Sequence, residues 1–405
     1  MVNPAFGIAG IILILGFLGD YLFKKKGVPD VLILILLGYI LGPLLHIIEP
    51  SVLAPLSPLF TSLALLLILF DGGLHLNLKK VFQQSPRAFS LACLSMGTSI
   101  LITTIFTSVF MGMDLMRGIL LGSIIGGTSS SIVIPLISRI QMKEKVKTLL
   151  SLESVFTDAM VIVFSLTLIQ MISTPTGNEF FMAARGLASA FSIGAVMGVL
   201  VGVIWLKVLR WLKGEVYDDI LTLSMALLFY WVVENLGGNG AIFALSFGLV
   251  LGNGKEISSF LGMKDVVEAG AVMKKFHSEI SFFIKTFFFV YLGLITSLTD
   301  MWLILQGFVL TSLLLIGRMF AAYVTAFHSR YLRESVKAIG LMFPRGLSAA
   351  IATELAVMRG ALQPYLSEMV IIVILSSVLL SSILSSFLQR KFNKNLNKEE
   401  KKNKR

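Results

Sequence analysis

Apolar and polar positions along this chain sort into long blocks rather than alternating residue by residue. The apolar blocks run for about 18 to 25 residues, and as helices each would cross a hydrocarbon layer of roughly 30 Å. The pattern predicts thirteen spans, at approximately 5–23, 29–48, 58–77, 88–111, 117–138, 149–173, 183–208, 218–236, 239–252, 278–296, 301–327, 335–358 and 366–389. The ninth is short and rich in glycine. A transmembrane β-barrel would instead show alternating segments of about 10 residues, a signature this sequence lacks. The expected fold class is an all-α polytopic membrane protein.

Composition agrees. Hydrophobic residues make up 56% of the 405 positions and charged residues 14%, against about 25% charged in soluble domains. The charges also predict an orientation. With the N-terminus outside, 28 of the lysines and arginines fall in cytoplasmic segments and three, Arg117, Arg185 and Arg359, on the other side. So lopsided a split favours N-outside, C-inside under the positive-inside rule. It also accounts for the net charge of +11 without nucleic acid, since basic loops face anionic lipid. Positive charges follow the first apolar run rather than precede it, so that run reads as a span and not as a cleaved signal. Residues 1–389 read as a single membrane domain and "RKFNKNLNKEEKKNKR", residues 390–405, as a short basic cytoplasmic tail. The lone cysteine, Cys93, permits no internal disulfide.

Two spans carry interruptions. The fifth contains "GSIIGGTSSSIVIP", with Gly126, Gly127 and Pro135, and the twelfth contains "GLMFPRGLSAAIA", with Pro344 and Gly346. These residues weaken a continuous helix at mid-depth. If the seventh span (183–208) is a linker, residues 5–173 and 218–389 form two six-helix halves with the broken helix fifth in each. That correspondence points to an inverted-repeat transporter with its site where the broken helices cross.

Inside the sixth span stand two acids, Glu153 and Asp158. Ser154 and Asp158 are four apart and share a helix face, while Glu153 lies on another with Thr157. Acids within membrane helices mark ion paths or proton relays, which makes Asp158 the candidate ion-binding residue. Arg345, at the second break, needs a carboxylate for its buried guanidinium, and Glu153 is the expected partner in a structural ion pair, direct ion contact being its other possible role. Asp71, in "LILFDGGLHL", is either a supporting acid or an interfacial charge. His46, His75, His277 and His328 fall at or near span ends.

Together, "ESVFTD" in the sixth span, "GGTSS" in the fifth, "LILFDGGL" in the third and "PRGLS" in the twelfth resemble the monovalent cation:proton antiporter superfamily, nearest the prokaryotic sodium/proton antiporters of the NhaP type. The resemblance runs through the whole thirteen-span core. It implies an NhaA-like antiporter fold with crossed, broken helices, and a homodimer in the cell (inner) membrane. In this resemblance Asp158 takes the place of the ion-binding aspartate. Ser154 and Thr128, with Ser129 and Thr157 beside them, match positions around the transported cation, and Glu153 with Arg345 matches a buried pair. The sequence departs from the pattern where Thr157-Asp158 replaces Asn-Asp or Asp-Asp, and where Thr128-Ser129-Ser130 replaces Thr-Asp-Pro. Arg318 stands where electrogenic relatives carry a lysine.

The expected function is secondary antiport, in which a proton and a monovalent cation compete for Asp158. Sodium is the first expectation, lithium accompanies it, and potassium stays open. With Asp158 as the sole carrier the exchange is expected to be electroneutral, modulated by Arg318 and Asp71. No cofactor is expected. A membrane-embedded enzyme is disfavoured, as the chain has no H-E-x-x-H, no G-x-S-x-G and no phosphate-cradling motif. A channel is the other rival.

Overall fold

Within hydrocarbon every backbone N–H and C=O must find a partner inside the protein, and a helix satisfies its own. In the computed structural model the described residues are 4–26, 29–48, 57–76, 78–138, 140, 142–173, 179–212, 217–260, 270–296, 300–327 and 329–403. Every regular element among them is a helix. His328 lies outside the described residues, as do the side chains beyond residue 384.

In chain order the helices are α1 (Pro4–Lys26), α2 (Asp30–Tyr39), α3 (Ser57–His75), α4 (Leu78–Met111), α5 (Leu115–Ile124), α6 (Ser130–Ser138), α7 (Glu144–Ser173), α8 (Glu179–Trp211) and α9 (Asp218–Asn235). Then follow α10 (Gly240–Gly252), α11 (Gly254–Phe260), α12 (Ala271–Ile295), α13 (Met301–Ala326), α14 (Arg330–Arg333), α15 (Val336–Leu341), α16 (Leu347–Met358) and α17 (Tyr365–Asn403). A single wide π turn, Ile40–Leu44, extends α2 around Pro43. Each expected apolar stretch is occupied by one of these helices, or in two cases by a broken pair. Six are long and apolar enough to cross a membrane alone, and six more apolar helices run 10–17 residues. The helix of the last span does not stop at residue 389 but continues to Asn403.

The chain divides into two compact units. One takes Met1–Val52, Gln84–Ile169 and Phe289–Arg405, the other Leu53–Gln83 and Gln170–Phe288.

In the second unit the short, glycine-rich α10 packs against both α3 and α8. Its sequence explains this. Gly248 and Gly252 lie so close to the Phe70 and Leu74 carbonyls of α3 that a Cβ would overlap them. On α8, Gly194, Gly198 and Gly202 recur every four residues and meet Asn239, Phe243 and Val250 in the same way. Small residues at this spacing let helix backbones approach where no hydrophobic force separates protein from lipid. Phe70, Phe247 and Phe243 stack in series at 5.4 and 5.5 Å. His277, expected near a span end, is fully buried with its ring edge-on to Phe70 at 4.8 Å.

The first unit holds the rest. Leu91 of α4, Val133, Leu136 and Ile137 of α6, Leu149 and Leu150 of α7, Ala321 and Ala322 of α13 and Ile339 of α15 form one buried cluster. That core fixes the two broken helices and α7 against each other.

Candidate functional site

The first break lies between α5 and α6, at Ile125–Ser129, and the second between α15 and α16, at Met342–Gly346. Each leaves backbone groups that must be satisfied. Thr128 N–H donates to Thr157 Oγ1 at 3.1 Å, and Ser129 N–H donates across to the carbonyl of Pro344 at 2.8 Å. Arg345 N–H donates to Ser377 Oγ at 2.9 Å. The two unwound segments are therefore bonded directly to each other. Glycine makes this possible: a Cβ on Gly346 would collide with Ser129, and one on Gly127 would lie 2.9 Å from the Thr157 carbonyl oxygen.

Asp158, on α7 and 8% exposed, meets both breaks. Its Oδ2 accepts from Ser130 N–H at 2.9 Å and from Ser130 Oγ–H at 2.6 Å, while its Oδ1 accepts from Ser348 Oγ–H at 2.6 Å. Ser130 opens α6 and Ser348 lies in the first turn of α16. The carboxylate thus sits at the positive ends of two half-helices, where the helix dipole favours negative charge. Hydrogen bonds to a charged group contribute about 1.5–3 kcal/mol each, and burying one carboxylate costs several kcal/mol. The three donors offset part of that cost.

Glu153 meets a different set. Arg318 Nη1 and Nη2 donate to Glu153 Oε1 and Oε2 at 2.8 and 3.0 Å, a two-pronged pair with both side chains at most 1% exposed. Thr128 Oγ1–H adds a third donor at 3.1 Å. The expected partnership of Glu153 with Arg345 is corrected here: the guanidinium that holds Glu153 belongs to α13. Arg345 instead donates through Nη1 to the Gly126 carbonyl at 2.8 Å and through Nη2 to Ser99 Oγ at 3.2 Å. Gly126 lies just past the C-terminus of α5, the negative end of that half-helix, so freed carbonyl and helix dipole favour the Arg345 charge there without a hydrogen-bonded carboxylate.

The remaining residues separate accordingly. Although Ser154 shares a face with Asp158, its hydroxyl donates to the Ser151 carbonyl at 3.0 Å. The Thr157 hydroxyl donates to the Thr128 and Ser154 carbonyls at 3.2 and 3.1 Å, and Ser129 Oγ pairs with Ser131 Oγ at 3.0 Å. Of the expected ligands, Ser154 and Thr128 send their protons elsewhere, and the hydroxyls bonded to Asp158 are those of Ser130 and Ser348. Both serines stand in motifs visible in the sequence, and their placement at the opening of a half-helix was the available signal. Asp71 lies in the other unit, where its Oδ1 accepts from Ser278 Oγ–H at 2.8 Å and is 3.4 Å from His75 Nδ1. Among the described residues no cluster of three or more His, Cys, Asp or Glu side chains could hold a metal ion. The arrangement provides one carboxylate able to take a proton or a hard monovalent cation, with hydroxyl oxygens beside it.

The chain is similar to several known proteins. The Na(+)/H(+) antiporter 1 of Methanocaldococcus jannaschii is 26% identical over 335 residues, 78% of this chain and 74% of that one. A probable Na(+)/H(+) antiporter 2 of the same organism is 27% identical over 67% of this chain and 64% of its own length. The K(+)/H(+) antiporter NhaP2 of Shewanella baltica is 28% identical over 62% of this chain and 44% of its own length. The chain thus spans less than two thirds of those last two relatives. The structure of the sodium proton antiporter MjNhaP1 from M. jannaschii superposes with a TM-score of 0.79 at 22% identity, covering 95% of this chain and 97% of that one, and so shares the fold. Residues 10–390 match the family described as sodium/hydrogen exchanger, transmembrane, and the chain belongs to that family.

Proposed function

We propose that this chain is a secondary antiporter exchanging a monovalent cation for protons, with cation and proton competing for Asp158. One observation carries the reading. Of the two acids on α7, Glu153 is held by Arg318, whereas Asp158 is met only by neutral donors, from both broken helices. A carboxylate so placed can let go of its donors and take a cation or a proton, one at a time. Sodium is the proposed cation, as the names of the M. jannaschii relatives suggest, and lithium is proposed to accompany it. Potassium is the second reading, favoured by the K(+)/H(+) relative and by a serine, Ser129, where the crossing motif would carry a second acid.

The proposal extends to a homodimer in the cell membrane, N-terminus outside and C-terminus cytoplasmic, built from two inverted six-helix repeats. The breaks at Ile125–Ser129 and Met342–Gly346 support the repeats, and the charge asymmetry of the loops supports the orientation.

The test is proton movement in proteoliposomes reported by a pH dye, with Na+, Li+ or K+ added in turn. Wild type should exchange at least one of these, and Asp158→Asn should abolish exchange while inserting and folding normally. Retained exchange in a well-folded Asp158→Asn protein would overturn the reading.

A further inference from the structure

Ser130 and Ser348 have a role that hydrogen bonding to an empty carboxylate does not exhaust. We propose that their hydroxyl oxygens, one from each broken helix, are ligands of the transported cation and set its affinity. This rests on the exchange reading above.

Ser130 Oγ and Ser348 Oγ lie 2.6 Å from opposite oxygens of Asp158, so four oxygens from three helices form one small group. A hydroxyl has one proton to donate and two lone pairs to accept with. With the site empty, each proton points at the carboxylate. A cation that neutralises the carboxylate removes the reason for that orientation. Rotation about Cβ–Oγ then turns a lone pair toward the cation without moving the backbone, and oxygen ligands of this kind suit hard cations.

The other hydroxyls nearby direct their protons to groups other than Asp158. Thr128 donates to Glu153, Thr157 to the Thr128 and Ser154 carbonyls, and Ser154 to the Ser151 carbonyl. Ser130 and Ser348 are also only part-buried, unlike those three, so a cation has an approach to them. Because the pair is divided between α6 and α16, the cation is gripped only while the two breaks are crossed, and the Ser129–Pro344 hydrogen bond maintains that crossing.

The experiment measures half-saturation and maximal rate of cation-driven proton flux for wild type, Ser130→Ala, Ser348→Ala, Ser348→Thr, Ser154→Ala and Asp158→Asn, with melting temperatures in detergent. Losing one hydroxyl ligand should raise KM about tenfold with little change in maximal rate, the scale expected for one interaction with a charged group. Ser348→Thr, which keeps the hydroxyl, should restore KM. A serine that only supported the fold would lower the melting temperature or the maximal rate and leave KM alone, and that result at both positions would overturn the proposal. So would a raised KM in Ser154→Ala with none in Ser348→Ala. If Asp158→Asn is inactive while both alanine variants keep the wild-type KM, this proposal fails and the exchange reading stands. If Asp158→Asn still exchanges, the exchange reading fails and this one with it.

Discussion

Glu153 lies within electrostatic reach of two buried guanidinium groups, and α13 supplies the one that grips it. Removing either partner strands the other as an unpaired buried charge, at a cost of about 3–5 kcal/mol. Glu153→Gln and Arg318→Gln should therefore each lower the melting temperature sharply, and the double variant should recover part of the loss. Glu153→Gln with Arg345→Gln should couple more weakly, because Arg345 is hydrogen-bonded to the Gly126 carbonyl and Ser99 and only its charge reaches Glu153. Strictly additive losses for Glu153 with Arg318 would contradict the geometry. Some of this was readable in the sequence: a buried acid beside Asp158 required an arginine, and Arg318 falls on the stripe of α13 marked by Leu310, Leu314 and Ala321, all of which are buried. The choice between arginines was not readable. It depends on which helix faces α7 across a separation of 165 residues, and the break's own carbonyl offers Arg345 an alternative that residue types alone do not reveal.

Among the elements, the broken helices decide the site. Gly126, Gly127, Pro344 and Gly346 announce both interruptions, because such residues weaken a helix at mid-depth. The serines that reach Asp158 were harder to single out. Ser and Thr in membrane helices commonly bond back to their own i−3 or i−4 carbonyl, as Ser154, Thr311, Thr353 and Ser376 do here, so a serine-rich stretch does not say which hydroxyl points across. The closest contact between the elements yields a sharp expectation. Gly346→Val should collapse the crossing, since even one Cβ there meets Ser129, whereas Gly97→Ala on α4, with nothing within 4 Å of its Cβ, should be tolerated. Yield of folded protein and melting temperature would check both. A stable, transporting Gly346→Val protein would mean the two breaks do not touch.

At the scale of the molecule, hydrophobic blocks located the helices well because apolar length is a strong signal. The division into two units was not legible, since it gathers three stretches of chain into one unit and two into the other. The division matters for the proton count. Within the unit that holds the site, Thr157 cannot titrate and Glu153 is bound by Arg318. Asp158 is the remaining acid where the two breaks cross, while Asp71 and Lys285 belong to the other unit. Exchange should therefore be electroneutral, one proton for one cation. A potassium–valinomycin potential imposed on proteoliposomes should leave sodium-driven proton flux unchanged, and a steep dependence on that potential would refute the count. The shared origin of Asp158, Ser130, Ser348 and the crossed breaks in a single unit has a thermodynamic consequence. In the proposed exchange, proton and cation meet the same set of atoms whichever solution the site faces, so neither direction of travel is built into the molecule. Such an exchanger is a reversible coupling between two gradients, and the steeper one chooses which ion is expelled.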